Sequence, residues 1–263
     1  MGSATREALG AATAALGAQG SVDFATGEQL LAAAIVVDDS TALRAALADD
    51  TAPAESRTAI IRSVFGKYTK AAQAVLESLA SQRWSSDDDL VASIERLGIR
   101  ALAASAPKTV SIDDELFAFA TAVSSSSELE LALGSRLGAK EGKVALVASL
   151  MGGKASKQTV AILGALLAQP RGRRIAGLVN YAATIVADEA GRSIATVTVA
   201  SPLTAAQSER LAKALSKQYG NTIRINQIVD PSILGGMRVQ VGDEVIDGSI
   251  ANRIADLRPR LAS

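Results

Sequence analysis

An internal repeat limits the possible architectures of this chain more than any other property of its sequence. The segment Ser40–Gly66 aligns with Ser126–Gly152 at an offset of 86 residues, and Ala74–Gln82 aligns with Ala161–Gln169 at an offset of 87. Charged and apolar positions match together in both alignments. We therefore interpret the repeat as the duplication of one structural unit.

Both copies place their apolar residues three and four positions apart, which predicts amphipathic helices. A segment that contains a proline, Ser105–Ser111, separates the copies. Only the first copy has an additional leading helix, which is predicted near Ser3–Leu16. We expect two tandem helical bundles, one over residues 1–106 and one over residues 107–190.

From about Arg192 onward, apolar residues alternate with polar ones, as in a strand. Ser193–Ala200 and Asn221–Val229 predict two strands with a helix between them, which implies a parallel pair joined by a crossover. Residues 191–263 are therefore expected to form a mixed-sheet β-α-β-β-β-α unit. The predicted fold class is mainly α with a small C-terminal α/β domain.

Three capping boxes mark predicted helix starts, because a hydroxyl precedes a carboxylate or amide by three positions. They are Thr26–Gln29, Ser111–Asp114 and Thr204–Gln207. Gly220 follows the helical spacing of the C-terminal unit, so we expect it to end that helix.

The chain has no Cys and no His among its 263 residues. Their absence excludes thiolate nucleophiles, His general bases and metal sites built on either residue. The 27 basic residues equal the 27 acidic ones, whereas a nucleic-acid-binding protein normally has a basic excess. Apolar runs are much shorter than the roughly 20 residues that cross a bilayer. We expect no catalytic residue, metal or cofactor, no bound nucleic acid and no direct membrane insertion.

The segment Val229–Ser249 is rich in glycine, and its glycines separate predicted strands. A phosphate-binding loop needs a Lys and a hydroxyl after its glycines, and no Lys follows Lys217. We interpret these glycines as turn residues, with Gly242 and Asp243 forming a two-residue hairpin loop of type II′. The other landmarks of the segment are Asp230, Pro231, Gly235, Gly236, Asp247, Gly248 and Ser249.

Several residues are candidates for contacts with partners. Trp84 is either an anchor of the first bundle or a partner contact. Arg171, Arg173 and Arg174 either pack or are solvated at a helix start, or they bind a partner; the lack of interleaved aromatic residues disfavours nucleic acid. The acid run Asp87–Asp89 is more typical of a first helical turn than of a metal site. An apolar stripe on the last predicted helix either covers its own sheet or receives a partner helix, and it consists of Ile250, Ile254, Leu257 and Leu261.

Two stretches of the C-terminal region, Ala195–Leu215 and Val229–Leu257, resemble the delta subunit of F-type ATP synthases. This subunit is the bacterial counterpart of the mitochondrial oligomycin-sensitivity-conferring protein. The resemblance includes the Asp-Pro, Gly-Gly, Gly-Asp and Asp-Gly-Ser landmarks. Upstream, Leu43–Gly66 and Leu167–Ala182 are similar to the helical bundle of the same family.

The resemblance implies a non-catalytic subunit of the peripheral stalk, or stator, of a proton-translocating ATP synthase. In this family the helical bundle grips N-terminal segments of the alpha subunits in the catalytic head, with the beta subunits as a further candidate contact. The C-terminal region joins the b subunit, so the chain is expected at the cytoplasmic face of the cell membrane. Family members have one bundle, which leaves open which of the two copies contacts the head.

Two functions of other classes are alternatives. A soluble enzyme could use Asp243, Glu244 and Asp247 as acids on the C-terminal domain, although turn chemistry explains Asp243 and Asp247 more simply. An RNA-binding module could use the mixed sheet, but Arg224 and Arg238 are few basic residues for that purpose.

Overall fold

The computed structural model describes residues 2–20, 22–134, 140–230, 233, 235–242 and 244–248. The chain divides into two compact units, Met1–Val186 and Ala187–Ser263. The first unit contains the first predicted bundle and all but the last four residues of the second, and the division at residue 106 stays a prediction.

Eleven helices precede the first strand in the described part of the chain. We call α1 to α6 the first helical set and α7 to α11 the second helical set. Their bounds are α1 (Ser3–Gly17), α2 (Phe24–Asp39), α3 (Thr41–Ala48), α4 (Ala54–Phe65), α5 (Lys70–Ser81), α6 (Asp87–Ala104), α7 (Ile112–Ser124), α8 (Ser127–Gly134), α9 (Lys140–Met151), α10 (Lys157–Ala168) and α11 (Ile175–Glu189).

The two helical sets repeat the same helix bounds. Helices α3, α4 and α5 begin at residues 41, 54 and 70, and α8, α9 and α10 begin at residues 127, 140 and 157, which lie 86, 86 and 87 positions later. Helices α6 and α11 begin 88 residues apart, at 87 and 175. A buried Leu-Val pair occupies the same place in both, at residues 90 and 91 and at residues 178 and 179. The offsets found in the sequence are therefore also those of the helices.

Helices α2 and α6 approach each other closely because glycine lies on each at the crossing. A Cβ atom on Gly27 would lie 2.8 Å from the backbone nitrogen of Leu102, and one on Gly98 would lie 3.0 Å from the backbone nitrogen of Leu31. A larger side chain at either glycine would force the two backbones apart. The α2–α6 pair thus forms a tightly packed centre of the first helical set.

The helix caps agree only in part with the predicted capping boxes. Asp23 caps α2 by accepting a hydrogen bond from the backbone N–H of Thr26, at 2.8 Å. The box predicted at Thr26–Gln29 is therefore wrong, since these residues lie inside the helix. Ser111 precedes α7 without a side-chain cap bond.

The second unit contains β1 (Arg192–Val199), α12 (Ala205–Tyr219), β2 (Thr222–Val229), β3 (Met237–Val241) and β4 (Glu244–Asp247). The predicted box at Thr204–Gln207 is present at the start of α12, and Gly220 ends this helix with a φ of +68°. The strand order is β2-β1-β3-β4, with β1 parallel to β2 and the other pairs antiparallel. Helix α12 packs on one face through a core of Ala195, Val197, Val199, Leu215, Ile223 and Val239.

These elements confirm the predicted fold class, which is mainly α with a small mixed α/β unit at the C-terminal end. The parallel β1–β2 pair has the predicted helical crossover. The last predicted helix, after Ser249, lies outside the described residues.

Candidate partner-binding surfaces

The glycine-rich segment forms turns between strands. Gly235 and Gly236, immediately before β3, have φ values of +131° and +82°, and Gly242 has a φ of +58°. Val241 pairs with Glu244 across a two-residue loop that joins β3 to β4. Left-handed backbone of this kind suits glycine. The interpretation of these glycines as turn residues is therefore confirmed for those that the structure describes.

Backbone hydrogen bonds at two further landmarks, Asp230 and Gly248, join the ends of neighbouring strands. The backbone N–H of Asp230 donates to the carbonyl of Val199 at 2.8 Å, and that of Gly248 donates to the carbonyl of Met237 at 2.9 Å. Asp247 is the last residue of β4. Several predicted landmarks and the apolar stripe lie outside the described residues: Pro231, Asp243, Ser249, Ile250, Ile254, Leu257 and Leu261.

Trp84 lies in the core of the first helical set, where it is 9% exposed. Its indole N–H donates to the carbonyl of Leu79 near the end of α5, at 3.0 Å. Both the ring and its polar atom are thus engaged within the set, as expected of a bundle anchor. Its contact with a partner stays a prediction.

Two of the three clustered arginines contact the first helical set. The Nη2 atom of Arg173 donates to both oxygens of the buried Glu95 carboxylate, at 2.8 and 2.9 Å, and the guanidinium carbon lies 4.3 Å from the ring centre of Tyr181. Arg171 donates to the backbone carbonyl of Asp88 at 3.1 Å. Burial raises the pKa of the Tyr181 hydroxyl above its usual value. Arg174 is exposed and is therefore the member of the cluster best placed for a partner.

Further polar contacts join the two helical sets. The Gln169 side chain donates to the Asp39 carboxylate at 2.6 Å, and the Gln158 side chain donates to the carbonyl of Ser105 at 3.3 Å. Together with the Arg173–Glu95 pair, these contacts fix the second set on α2 and α6. Sequence reasoning missed them because the paired residues are 53 to 130 positions apart and carry no local pattern.

The acid run Asp87–Asp89 forms the first turn of α6, as predicted. The Ser86 hydroxyl caps this helix by accepting from the N–H of Asp89, at 3.1 Å. Arg44 pairs with the first two carboxylates of the run. Within the described residues, no group of three or more His, Cys, Asp or Glu side chains could hold a metal ion.

An apolar groove with a volume of about 710 Å³ is lined by residues of both α2 and α10. We call it the inter-set groove. Small residues of α10 line it, and the Lys157 ammonium lies 4.3 Å from the ring centre of Phe24, which lines the groove as well. Its lining residues are Phe24, Glu28, Leu31, Ala32, Ile35, Val144, Ala155, Lys157, Val160, Ala161, Gly164, Ala165 and Ala168. The small residues at helical spacing on α10 are the sequence signal that could have indicated it.

A second groove, of about 800 Å³, lies between α8 and the start of α11. We call it the α8 groove. It combines apolar walls with charged residues at its edge. Its lining residues are Ser127, Glu130, Leu131, Leu133, Gly134, Leu167, Pro170, Gly172, Arg173, Arg174, Ile175 and Leu178.

In the part of the chain that the structure describes, no helix is both long enough and apolar enough to span a membrane. Both grooves have mainly apolar linings. Grooves between helices of this kind bind amphipathic helices of other proteins. The described residues thus define a mainly helical protein with a small α/β unit and two apolar grooves.

Comparison with known proteins identifies the family. Residues 99–261 match the model of the ATP synthase delta (OSCP) subunit family. The ATP synthase subunit delta of Leifsonia xyli is 51% identical over 263 residues, which is the full length of both chains. The subunit of Kineococcus radiotolerans is 40% identical and covers 94% of this chain and 91% of its own length. That of Streptomyces avermitilis is 38% identical and covers 99% of this chain and 98% of its own length.

The chain belongs to the ATP synthase delta (OSCP) subunit family. The resemblance noted in the sequence is therefore confirmed. The delta subunit is non-catalytic, which confirms the prediction that this chain is not itself an enzyme and removes the alternative of a soluble enzyme. The family match begins near the end of α6, so it covers the second helical set and the C-terminal unit.

Proposed function

We propose that this chain is a peripheral-stalk subunit of a proton-translocating ATP synthase, which links the catalytic head to the b subunit and resists the torque of the rotor. Its helical unit would grip N-terminal segments of the alpha subunits, with the beta subunits as a further contact. The C-terminal unit would receive the b subunit, with the stripe from Ile250 to Leu261 as the candidate surface. The chain would then lie at the cytoplasmic face of the membrane as a peripheral protein.

The observation that carries this proposal is the inter-set groove in a member of the delta family. Along α2, Phe24, Leu31 and Ile35 present apolar side chains at helical intervals. Along α10, the short side chains of half-buried Ala161 and Ala165 leave room for a partner helix to approach closely. An amphipathic segment of the head could bury its apolar face there.

The location of the groove bears on which copy would contact the head. One wall is α2 of the first helical set and the other is α10 of the second, which is part of the family match. Both copies therefore contribute to our proposed head contact. Contacts such as Gln169–Asp39 would keep the two walls at a fixed distance. A joint that resists torque needs such low compliance and slow dissociation.

The proposal is tested by placing a charge in the inter-set groove. Ala32 is exposed on the α2 wall, so Ala32→Glu leaves the helical packing intact while it puts a carboxylate against an apolar partner face. We expect at least about a tenfold weaker binding of the purified catalytic head, measured by surface plasmon resonance.

Ala42→Glu is the matched control, because Ala42 is exposed on α3 and does not line the groove. Head binding that is equally strong for both variants, with unchanged circular dichroism, would contradict the proposed contact. Loss of binding in both variants would place the head contact on a different surface.

A further inference from the structure

We propose that the turn Pro170–Arg173, which we call the clip turn, is a strained element that holds the second helical set on α6 and thereby fixes the α10 wall of the inter-set groove. Arg171 and Arg173 act in it as positioning residues, because they contact α6. This inference rests on the proposed function for the partner of the groove. The clip turn itself is defined by its backbone conformation and its contacts.

The backbone of the clip turn is left-handed at both of its central residues. Arg171 and Gly172 have φ values of +49° and +76°, and the N–H of Arg173 donates to the carbonyl of Pro170 at 2.9 Å, as in a type I′ turn. Arg171 is the only residue other than glycine with a positive φ in the described part of the chain. Asn, Asp or Gly is favoured at its position, because left-handed backbone strains other residues. The chain therefore keeps an arginine where the backbone disfavours it.

The contacts of the two arginines explain why the strained residue is kept. Arg171 donates to the backbone carbonyl of Asp88 at 3.1 Å, and Arg173 donates to both carboxylate oxygens of Glu95 at 2.8 and 2.9 Å. Asp88 and Glu95 are seven positions apart on α6 and therefore lie on one face of this helix. The side chains of Arg171 and Arg173 are only 16% and 24% exposed. The clip turn thus directs two arginines onto the same face of α6.

The corresponding connection in the first helical set has no such turn. Residues 82–86 join α5 to α6, whereas residues 169–174 join α10 to α11, so the second connection is one residue longer. Arg83 stands 88 residues before Arg171, at the offset of α6 and α11. It has no positive φ, and it pairs with Asp50 at an exposed site. The longer connection and the left-handed arginine therefore occur together in the set that must be attached to α6.

The clip turn is placed to control the inter-set groove. Ala168, the last residue of α10, lines the groove, and only Gln169 separates it from the clip turn. Helix α6, which receives both arginines, also packs against α2, the other wall of the groove. The arginines therefore connect the two walls through α6. Strained residues persist where surrounding contacts hold them, and they are concentrated at functional sites.

The first test measures hydrogen exchange of the isolated full-length chain by mass spectrometry. Arg171→Ala removes the contact with Asp88 and keeps the strain, so exchange in α10 and α11 should become at least about tenfold faster, while α4 and α5 stay unchanged. Arg171→Asn also removes the contact but suits left-handed backbone, so its increase should be about threefold smaller. Arg83→Ala is the matched control in the first set and should leave exchange in α10 and α11 unchanged.

The second test measures binding of the purified catalytic head by surface plasmon resonance. Arg171→Ala should raise the dissociation rate at least about threefold and leave the association rate nearly unchanged, because the groove wall is present but held less firmly. Arg83→Ala should change neither rate. Circular dichroism establishes that each variant is folded under the binding conditions. A folded variant that had lost only stability would keep the dissociation rate of the unaltered chain.

Three results would overturn the inference. Exchange in α10 and α11 that stays unchanged in Arg171→Ala, or that rises equally in every helix, would show that the turn does not hold the second set. Equal exchange in Arg171→Ala and Arg171→Asn would show that Arg171 is not strained. Faster exchange with unchanged dissociation of the head would show that the turn does not position the groove. If the unaltered chain does not bind the head, the proposed function fails, and hydrogen exchange alone then decides whether the clip turn holds the second set.

Discussion

Helices α3 and α8 occupy corresponding places in the two helical sets but are held in different ways. Arg44 ties α3 to the acidic start of α6, whereas the residues at the corresponding positions, Glu130 on α8 and Ile175 on α11, cannot form an ion pair with each other. Interior positions are apolar and buried in both sets, as at Leu47 and Leu133. The two copies thus share a core pattern and differ at the rim, where one is closed and the other is open.

The sets also differ in how they are covered. The first set has a leading helix, α1, which buries Ala8, Ala12 and Leu16 against α5 and α6. The second set has no leading helix of its own, and α10 packs against α2 and α6 of the first set. The first set is therefore complete by itself, and the second depends on it for part of its packing.

This dependence predicts that the contact between the sets contributes strongly to stability. Glu95→Ala should lower the free energy of unfolding by about 2–4 kcal/mol, because it leaves Arg173 partly buried without its carboxylate. Urea unfolding of the full chain, followed by circular dichroism, measures the change. Glu77→Ala breaks a more exposed pair with Arg62 and should cost only about 1 kcal/mol or less. Equal losses for the two variants would show that the Glu95–Arg173 contact stabilises the protein no more than an exposed ion pair does.

Two glycine substitutions compare helix packing in the two sets, because glycines allow the close α2–α6 crossing in the first set. Gly27→Ala should destabilise the protein by about 1–3 kcal/mol, because its new methyl group would overlap Leu102. Gly142→Ala, on α9 of the second set, meets no atom within 4 Å and should stabilise the chain by up to about 1 kcal/mol. Urea unfolding measures both changes in the free energy of unfolding. A Gly27→Ala variant that is more stable than the unaltered chain would contradict the tight α2–α6 crossing.

The smallest expected effect concerns the caps of α2 and α7, which begin 88 residues apart, at 24 and 112. Asp23→Ala should cost about 1 kcal/mol, because Asp23 caps α2, whereas Ser111→Ala should cost less, since Ser111 makes no side-chain cap bond. Hydrogen bonds from the Thr26 hydroxyl and N–H hold the pKa of Asp23 below its usual value. The contribution of Asp23 is therefore fully present above about pH 4 and is lost as the pH falls through its folded pKa.

The pH dependence can be measured as the difference in unfolding free energy between the unaltered chain and Asp23→Ala. This difference should stay constant above about pH 4 and shrink as the pH is lowered below that value. The corresponding difference for Ser111→Ala should stay constant over the same range, because a serine hydroxyl does not titrate there. A difference for Asp23→Ala that is independent of pH would rule out the cap as the cause.

Much of the architecture could be predicted from local pattern. Apolar spacing indicated the helices and the change to strands near Arg192, and the repeat offsets reappear in the helix bounds. The box at Thr204–Gln207 and the C-cap at Gly220 were also readable, because each depends on residues within one helical turn. The box at Thr26–Gln29 was misread because Asp23, just upstream, supplies the competing cap.

The sequence by itself determined the elements, their order and the turn character of the glycine-rich segment, because hydrogen bonding and side-chain alternation within an element depend on near neighbours. Tertiary structure alone decided that Arg171 and Arg173 face inward while Arg174 stays exposed, and that α2 and α10 leave a groove between them. These outcomes depend on contacts between residues that lie far apart in the chain, as in the Glu95–Arg173 pair 78 positions apart. Such contacts exist only after the helices pack.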